Sequence, residues 1–378
     1  LVATWDLINE ALGREEDFSA NLTGVLFRGQ DGVPSTFEIG GLGATDVIAT
    51  ADEPDHAIHR AVAQPRLIAA RIHTLEDRMR EWTRHNLAPS IAAGGGDFVP
   101  ISEMIPALAV ANILGLPEED VARFRVWAMM GGDMLAGEVN AERLGFLGSE
   151  TGKMAEYLGS HFDVAFADPS SNPDAPLLHA LALAVRSGKI DRRYAIGIAI
   201  VMFGAGGEST AAMIGSALRI LAEDPALASR LREEPTLIPR YIEEVLRLEP
   251  PFNFHYRSVR RDCEFAGYDL KEGNRLMLLW ASANRDPKIF DEPDRLRLDR
   301  KHPKKHMGFG RGAHFCIGAH LARLEARVVI EEVLAATSDL SVRASAASQD
   351  DNISDAVSYT KSIFIRRLER LDLDLAAA

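Results

Sequence analysis

The stretch YAIGIAIVMFGAGGESTAAMIGSALRILAEDP, from Tyr194 to Pro225, limits the possible folds more than any other part of this 378-residue chain. Its uncharged run, Tyr194 to Gly207, is 14 residues long before Glu208 and then Arg219 interrupt it. That length falls short of a membrane span and suits a buried core helix. A helix apolar on nearly all sides must be surrounded by protein, so other elements have to pack around it. Two glycines and an acid at its middle are locally unfavourable, because glycine weakens a helix and a buried carboxylate needs partners. A close helix crossing accounts for Gly206 and Gly207 but leaves Glu208 unexplained.

The rest of the chain supplies those surroundings. Residues 1–20 read as a short helix closing into a loop, and 21–51 as a long Gly- and Thr-rich loop with at most one short helix. Loops of that length inside compact domains are usually functional. Apolar periodicity then predicts helices over 56–88, 101–114, 117–135, 142–167, 176–186, 191–222, 225–232 and 236–248. After Phe252 the texture changes: Glu264–Trp280 reads as two or three short strands, and Ser362–Leu375 as another. The expected fold is mainly α with a small β region. No linker or repeat divides residues 1–378, so a single domain and a monomer are expected.

Composition narrows the class. A net charge of −13 excludes a general nucleic-acid binder. Two cysteines in so long a chain are too few for a disulfide framework, and LVATWDLINE has neither the basic nor the apolar region of a signal peptide. A cytoplasmic location is therefore expected. The chain opens without Met, which points to residues preceding Leu1.

One cysteine, Cys316, stands where a glycine-rich loop becomes a helix, in GFGRGAHFCIGAHLARLEARVVIEEVL (Gly308–Leu334). Backbone N–H groups at a helix start lack intrahelical partners and favour a thiolate. Four readings are open: a buried structural cysteine; zinc, with His306, His314 and His320; a nucleophile with His314 as base; and an axial thiolate to haem iron. A flat macrocycle with two carboxylates requires glycines for close approach, aromatic packing and cationic donors. FGRGAHFCIG, Phe309–Gly318, offers each.

That stretch resembles the F-G-x-G-x-H-x-C-x-G signature of the cytochrome P-450 superfamily of haem-thiolate monooxygenases, of the soluble bacterial type. The resemblance extends along the chain. EEVLR carries Glu244 and Arg247 at the spacing of the family's E-x-x-R motif, which braces the segment before the cysteine loop. AGGEST is similar to its A-G-x-[D/E]-T motif, with Ala205 beside the groove, Glu208 as the acid and Ser209 where threonine is common. His56 and Arg60 match the family's H-x-x-x-R pair. The resemblance implies that these two, with Arg257 and His314, meet the propionates of haem b, while Phe309 and Gly318 flank Cys316, the iron ligand. It further implies the triangular helical prism of the P-450 fold, whose initial helix and first strands would lie before Leu1.

The activity implied is activation of dioxygen and insertion of one oxygen atom into an apolar substrate of the lipid, steroid, terpenoid or polyketide class. Glu208 and Ser209 would relay protons. The pocket would draw on 21–51, Val201–Ala205, Phe252–His255 and Asp351–Ser358. Electrons would come from a separate ferredoxin and its NAD(P)H-dependent reductase. Arg300, Lys301, Lys304, Lys305, Arg311 and Arg323, with no acid among residues 300–324, form a candidate docking face. An ordinary solvated charge run stays open beside it. Two rival functions remain: a peroxide-driven or isomerising haem-thiolate enzyme, and a non-enzymatic haem or small-molecule binder.

Overall fold

Arg192–Glu223 forms one 32-residue helix in the computed structural model, which describes residues 1–21, 24–28, 32–38, 46–135, 139–168, 170, 172, 174–344 and 356–378. By length and composition alone this helix could cross a membrane, but more than half of its most apolar window is buried inside the protein. Val99–Leu114, itself buried on nearly every side, makes the most extensive helix contact with it. Val121–Ala128, Ala141–Ala167, Leu177–Arg186 and Ala319–Ala336 pack on its other sides. A Cβ on Gly207 would sit 2.4 Å from the Ala128 Cβ, and one on Gly206 would sit 2.8 Å from a Val110 methyl. Both glycines are therefore required by close helix crossings.

Local chemistry sets where the helices stop. Val99–Leu114 ends at Gly115, which is left-handed at φ 85. Asp224 closes the central helix and caps the next, Pro225–Glu233, by accepting the Leu227 N–H at 2.9 Å. The helix expected over 56–88 is broken instead: Asp55–Ala63 gives way to 3-10 turns and a short helix before Glu76–Ala92. Pro65 lies in the first of these turns, where its missing N–H cannot continue the ladder.

Small sheets complete the fold. Phe18–Ser19, His255–Val259 and Arg275–Leu278 form an antiparallel sheet in that order, and Val2 bridges to Leu278. Leu368–Ala377 pairs with Val357–Tyr359, Gly95–Asp97 and Thr337–Val342. The terminal strand thus begins later than the expected Ser362. In the 21–51 region, Gly24–Arg28 and Pro34–Glu38 pair as a hairpin rather than forming a loop with a short helix. The turn residues of Gly29–Gly32 between them are the sequence signal for that pairing. Cys263–Phe265 and Tyr268–Leu270 form a second hairpin.

One apolar core surrounds the central helix. A smaller cluster of Trp5, Ile8, Phe18, Leu278, Trp280, Phe290 and Met307 joins the N-terminal helix Trp5–Gly13 to the approach to the cysteine loop.

Candidate active site

The cysteine loop is a compact turn. Met307 N–H donates to Asn284 Oδ1 at 2.6 Å, and Gly310 N–H returns to the Met307 carbonyl at 2.9 Å. Gly310 and Gly312 take left-handed conformations, at φ 65 and φ 72, which a side chain would disfavour. Cys316 N–H donates to the Phe309 carbonyl at 2.9 Å, and Ala319–Ala336 begins just beyond Gly318. The sulfur lies over Gly318, 3.9 Å from where a Cβ there would stand. Cys316 is half-buried, yet it lies deep enough that burial pushes its thiol up. The Gly318 N–H and the guanidinium groups of Arg323 and Arg60 pull the other way but are outweighed. The helix start alone therefore does not make a free thiolate here; a bound cation would.

Two of the open readings lose support. Among the described residues, no three His, Cys, Asp or Glu side chains converge on a point that a metal ion could occupy. His314 packs at a tilt against His56, ring centroids 4.1 Å apart, and has no hydrogen bond to the sulfur among the described residues.

The donor set fits a haem. His56 is buried, and its Nδ1 meets Glu53 Oε1 at 2.8 Å. Its Nε2 and the Nδ1 of His314 are buried without a partner among the described residues. Arg257 is half-buried, donates to the Tyr256 carbonyl at 2.8 Å and has no carboxylate partner among the described residues. Arg257 and His314 both line a cavity of about 190 Å³, together with Asp52, Glu53 and Arg311. Arg60 directs one N–H, 2.9 Å, to the Phe315 carbonyl, so it also secures the residue before the cysteine. Unpaired nitrogen groups gathered at one end of a glycine loop suit two carboxylates.

The central helix has a partly exposed face. Ala205 is exposed although the helix runs through the interior, and Val201 and Ser209, one turn to either side, are only half-buried. The three residues form one stripe at i, i+4, i+8 that protein covers only in part. Ser209 Oγ–H donates to the Ala205 carbonyl at 2.7 Å. Glu208 turns away from that stripe, accepting from the Gly132 N–H and, at 3.1 Å, from Arg367 Nε. Burial pushes its carboxyl up to about 7, against the pull of Arg367 and the Gly132 N–H. Arg367 also meets Glu103 at 3.0 Å, and Glu103 meets Arg125 at 2.7 Å.

Elsewhere the expectations need amendment. Glu244 and Arg247 are fully buried and share a two-bonded fork, 2.7 and 2.9 Å, on the helix Ile238–Leu248. Arg247 also donates to the carbonyls of Asn284, Pro293 and Arg295, while Glu244 accepts from Arg297 N–H and Arg300 Nε. Arg300 and Arg323 are consequently not part of an open basic face: the first pairs with Glu244 and the second with Glu243. Lys301, Lys304, Lys305 and Arg311 remain exposed. Phe252, Phe254 and His255 gather round Phe364, and Trp280 Nε1–H donates to His255 Nδ1 at 2.6 Å. Burial holds His255 down at about 3, so it is neutral with its proton on Nε2. The expected pocket residues 351–355 lie outside the described residues. Sequence reasoning missed Glu103, Glu243 and Arg367, which carry no local signature.

A family model for cytochrome P-450 matches residues 168–338. Over 374 residues the chain is 40% identical to cytochrome P-450 144 of Mycobacterium tuberculosis, covering 98% of this chain and 83% of that protein. It is 30% identical over 340 residues to the vitamin D(3) 25-hydroxylase of Pseudonocardia autotrophica, covering 88% of this chain and 78% of the other. The crystal structure of CYP109E1 from Bacillus megaterium in complex with testosterone superposes with a TM-score of 0.81 at 28% identity, over 99% of this chain and 91% of that one.

Proposed function

The chain belongs to the cytochrome P-450 family of monooxygenases, and from that premise we propose that Cys316 holds the iron of haem b while the protein oxygenates an apolar small molecule. The observation that carries this reading is the cysteine loop, with its unpaired imidazole nitrogens and a guanidinium that has no carboxylate partner among the described residues, together with a long helix whose middle is partly exposed. When bound, the haem supplies the oxygen and electron chemistry; the chain supplies binding, orientation, dryness and protons.

His56 Nε2, His314 Nδ1 and Arg257 would take the haem carboxylates, and Phe309 and Gly318 would flank the sulfur. Ala205 leaves room on the opposite side. Ser209 gives its own hydrogen to the Ala205 carbonyl, so its oxygen lone pairs are available to accept a hydrogen bond from a water. Glu208, with its raised carboxyl, can hold a proton near neutrality. Arg367 cannot resupply that proton, because a guanidinium does not deprotonate in proteins. The Arg367–Glu103–Arg125 chain therefore acts as a brace.

A lipid, steroid, terpenoid or polyketide would suit the partly exposed Val201 and Ala205. The names of relatives, one acting on vitamin D(3), one a C-12 hydroxylase of erythromycin and one crystallised with testosterone, make steroids and macrolides the first classes to test. Electrons would arrive from an acidic ferredoxin and its NAD(P)H-dependent reductase, docking on Lys301, Lys304, Lys305 and Arg311 near the exposed Phe315.

Carbon monoxide added to the reduced protein should give the long-wavelength Soret band of thiolate ligation. Cys316→Ala should abolish it and Cys263→Ala should leave it; the reverse pattern overturns the assignment. A spin-state titration with steroids, terpenoids, fatty acids and macrolides then ranks substrate classes. Turnover with peroxide but not with a reductase chain would select the peroxide-driven alternative.

A further inference from the structure

Two adjacent glutamates on the helix Ile238–Leu248 face different tasks. Successive side chains on a helix point roughly 100° apart. Glu244 turns to the segment 284–300, as described. Glu243 turns to the cysteine loop, where it is buried and fully engaged. Its Oε1 accepts from Arg323 Nε at 2.6 Å, and its Oε2 accepts from Arg323 Nη2 at 3.0 Å and from His306 at 2.8 Å.

The donor logic of His306 fixes the direction of this network. Gly308 N–H points at His306 Nδ1 at 3.0 Å. A backbone N–H can only donate, so Nδ1 carries a lone pair and the ring proton on Nε2 goes to Glu243. Gly308 precedes Phe309, whose carbonyl receives the Cys316 N–H. A side chain at Gly308 would come within 2.9 Å of the Leu246 carbonyl, so this stretch lies directly on the same helix. On the other side of the cysteine, the Arg323 guanidinium lies 4.5 Å over the Phe309 ring while gripping Glu243. The chain entering the loop and the chain leaving it are thus tied to one carboxylate. Burial pushes that carboxyl up, but the bonds from His306 and Arg323 outweigh it and hold it at about 2.

We propose that Glu243 is a positioning residue for Cys316, setting where the sulfur stands by holding His306 before the loop and Arg323 after it. The inference rests on Cys316 being the thiolate ligand. It also gives Arg323 a task other than partner docking.

The test uses the haem-loaded protein and its reduced carbon monoxide spectrum, at a temperature where every variant remains folded. Glu243→Gln keeps the shape but loses the charge that orders Arg323. It should lose most of the long-wavelength band to the shorter-wavelength band of iron without a thiolate, and its reduction potential should shift. His306→Asn can still accept the Gly308 N–H through an Asx turn but no longer reaches Glu243, so a partial loss is expected. Arg323→Lys keeps the charge without the fork and should also lose part of the band. The control is Arg84→Ala, which removes a pair with Glu332 on the same helix Ala319–Ala336, away from the loop. It should lower the unfolding temperature and leave the band whole.

A Glu243→Gln protein with the full band and an unchanged potential overturns the proposal. So does an Arg84→Ala protein that loses the band in proportion to its stability. If Glu243→Gln does not fold, full bands in both His306→Asn and Arg323→Lys overturn it instead. Absence of the band in the parent protein would strike the ligand assignment itself, a separate failure.

Discussion

The proposed proton path runs through Ser209, whose hydrogen is committed to the Ala205 carbonyl. Its lone pairs are what Ser209→Ala removes. That variant should retain haem and the thiolate band, but product per NAD(P)H should fall roughly 10-fold or more as hydrogen peroxide rises, following the usual size of a proton-transfer contribution. Ser209→Thr should keep coupling, since the β-methyl restricts the rotamer without removing the oxygen. Equal coupling in the parent and Ser209→Ala would remove the hydroxyl from the proton path. Glu325 offers a different residue-level test. It is fully buried, and neither carboxyl oxygen has a partner among the described residues. Burial raises it well above the ordinary value of 4.5, so its stabilising contribution is complete below that value and is lost as pH rises. Glu325→Gln removes this loss. The stability of the variant relative to the parent should therefore increase between pH 5 and pH 8, by at most about 1.4 kcal/mol per pH unit. A flat difference in urea midpoint across that range would contradict it.

At the scale of elements, packing and the buried fork carry the weight. Gly207→Ala would place a methyl 2.4 Å from the Ala128 Cβ, at a crossing of two helix backbones. Overpacking of this kind costs about 1–3 kcal/mol. Thermal unfolding should show that loss, and adding Ala128→Gly should return much of it; no recovery would mean that the contact is not the cause. The Glu244–Arg247 fork holds 284–300 against the helix Ile238–Leu248 through three carbonyls and an amide. Arg247→Ala leaves a buried carboxylate held only in part, by Arg300 and the Arg297 N–H, and should lower stability by about 3–5 kcal/mol. Arg247→Lys should fail nearly as badly, because an ammonium cannot reproduce the planar fork.

For the whole molecule the relevant quantity is charge distribution. A chain of net charge −13 keeps Lys301, Lys304, Lys305 and Arg311 exposed, with Lys305 and Arg311 both over the Trp5 ring. If these groups steer an acidic electron donor, first-electron transfer should slow as salt shortens the screening length from about 10 Å at 0.1 M towards about 3 Å at 1 M. Charge reversal at Lys301 and Lys304 should slow it too, without changing substrate affinity. Rates indifferent to both would assign the run to solvation.

What the sequence by itself determined was local. The apolar run around Phe203 requires a central helix, the glycines around Cys316 require a tight turn, and the E-x-x-R spacing places Glu244 and Arg247 on one side of a helix. Each of these is settled within a few residues, by backbone sterics and helical period. The tertiary structure decided direction and partnership. Glu208 turns to Arg367, 159 positions away, and Arg323 turns inward to Glu243, 80 positions away, rather than outward to a docking face. Gly95–Asp97 becomes a strand by pairing with Asp372–Asp374, and residue 95 must be glycine because the Leu373 carbonyl comes within 2.1 Å of where a Cβ would stand. No local pattern encodes such pairings, because the energy of a buried charge or a close backbone approach depends on groups that folding alone brings near.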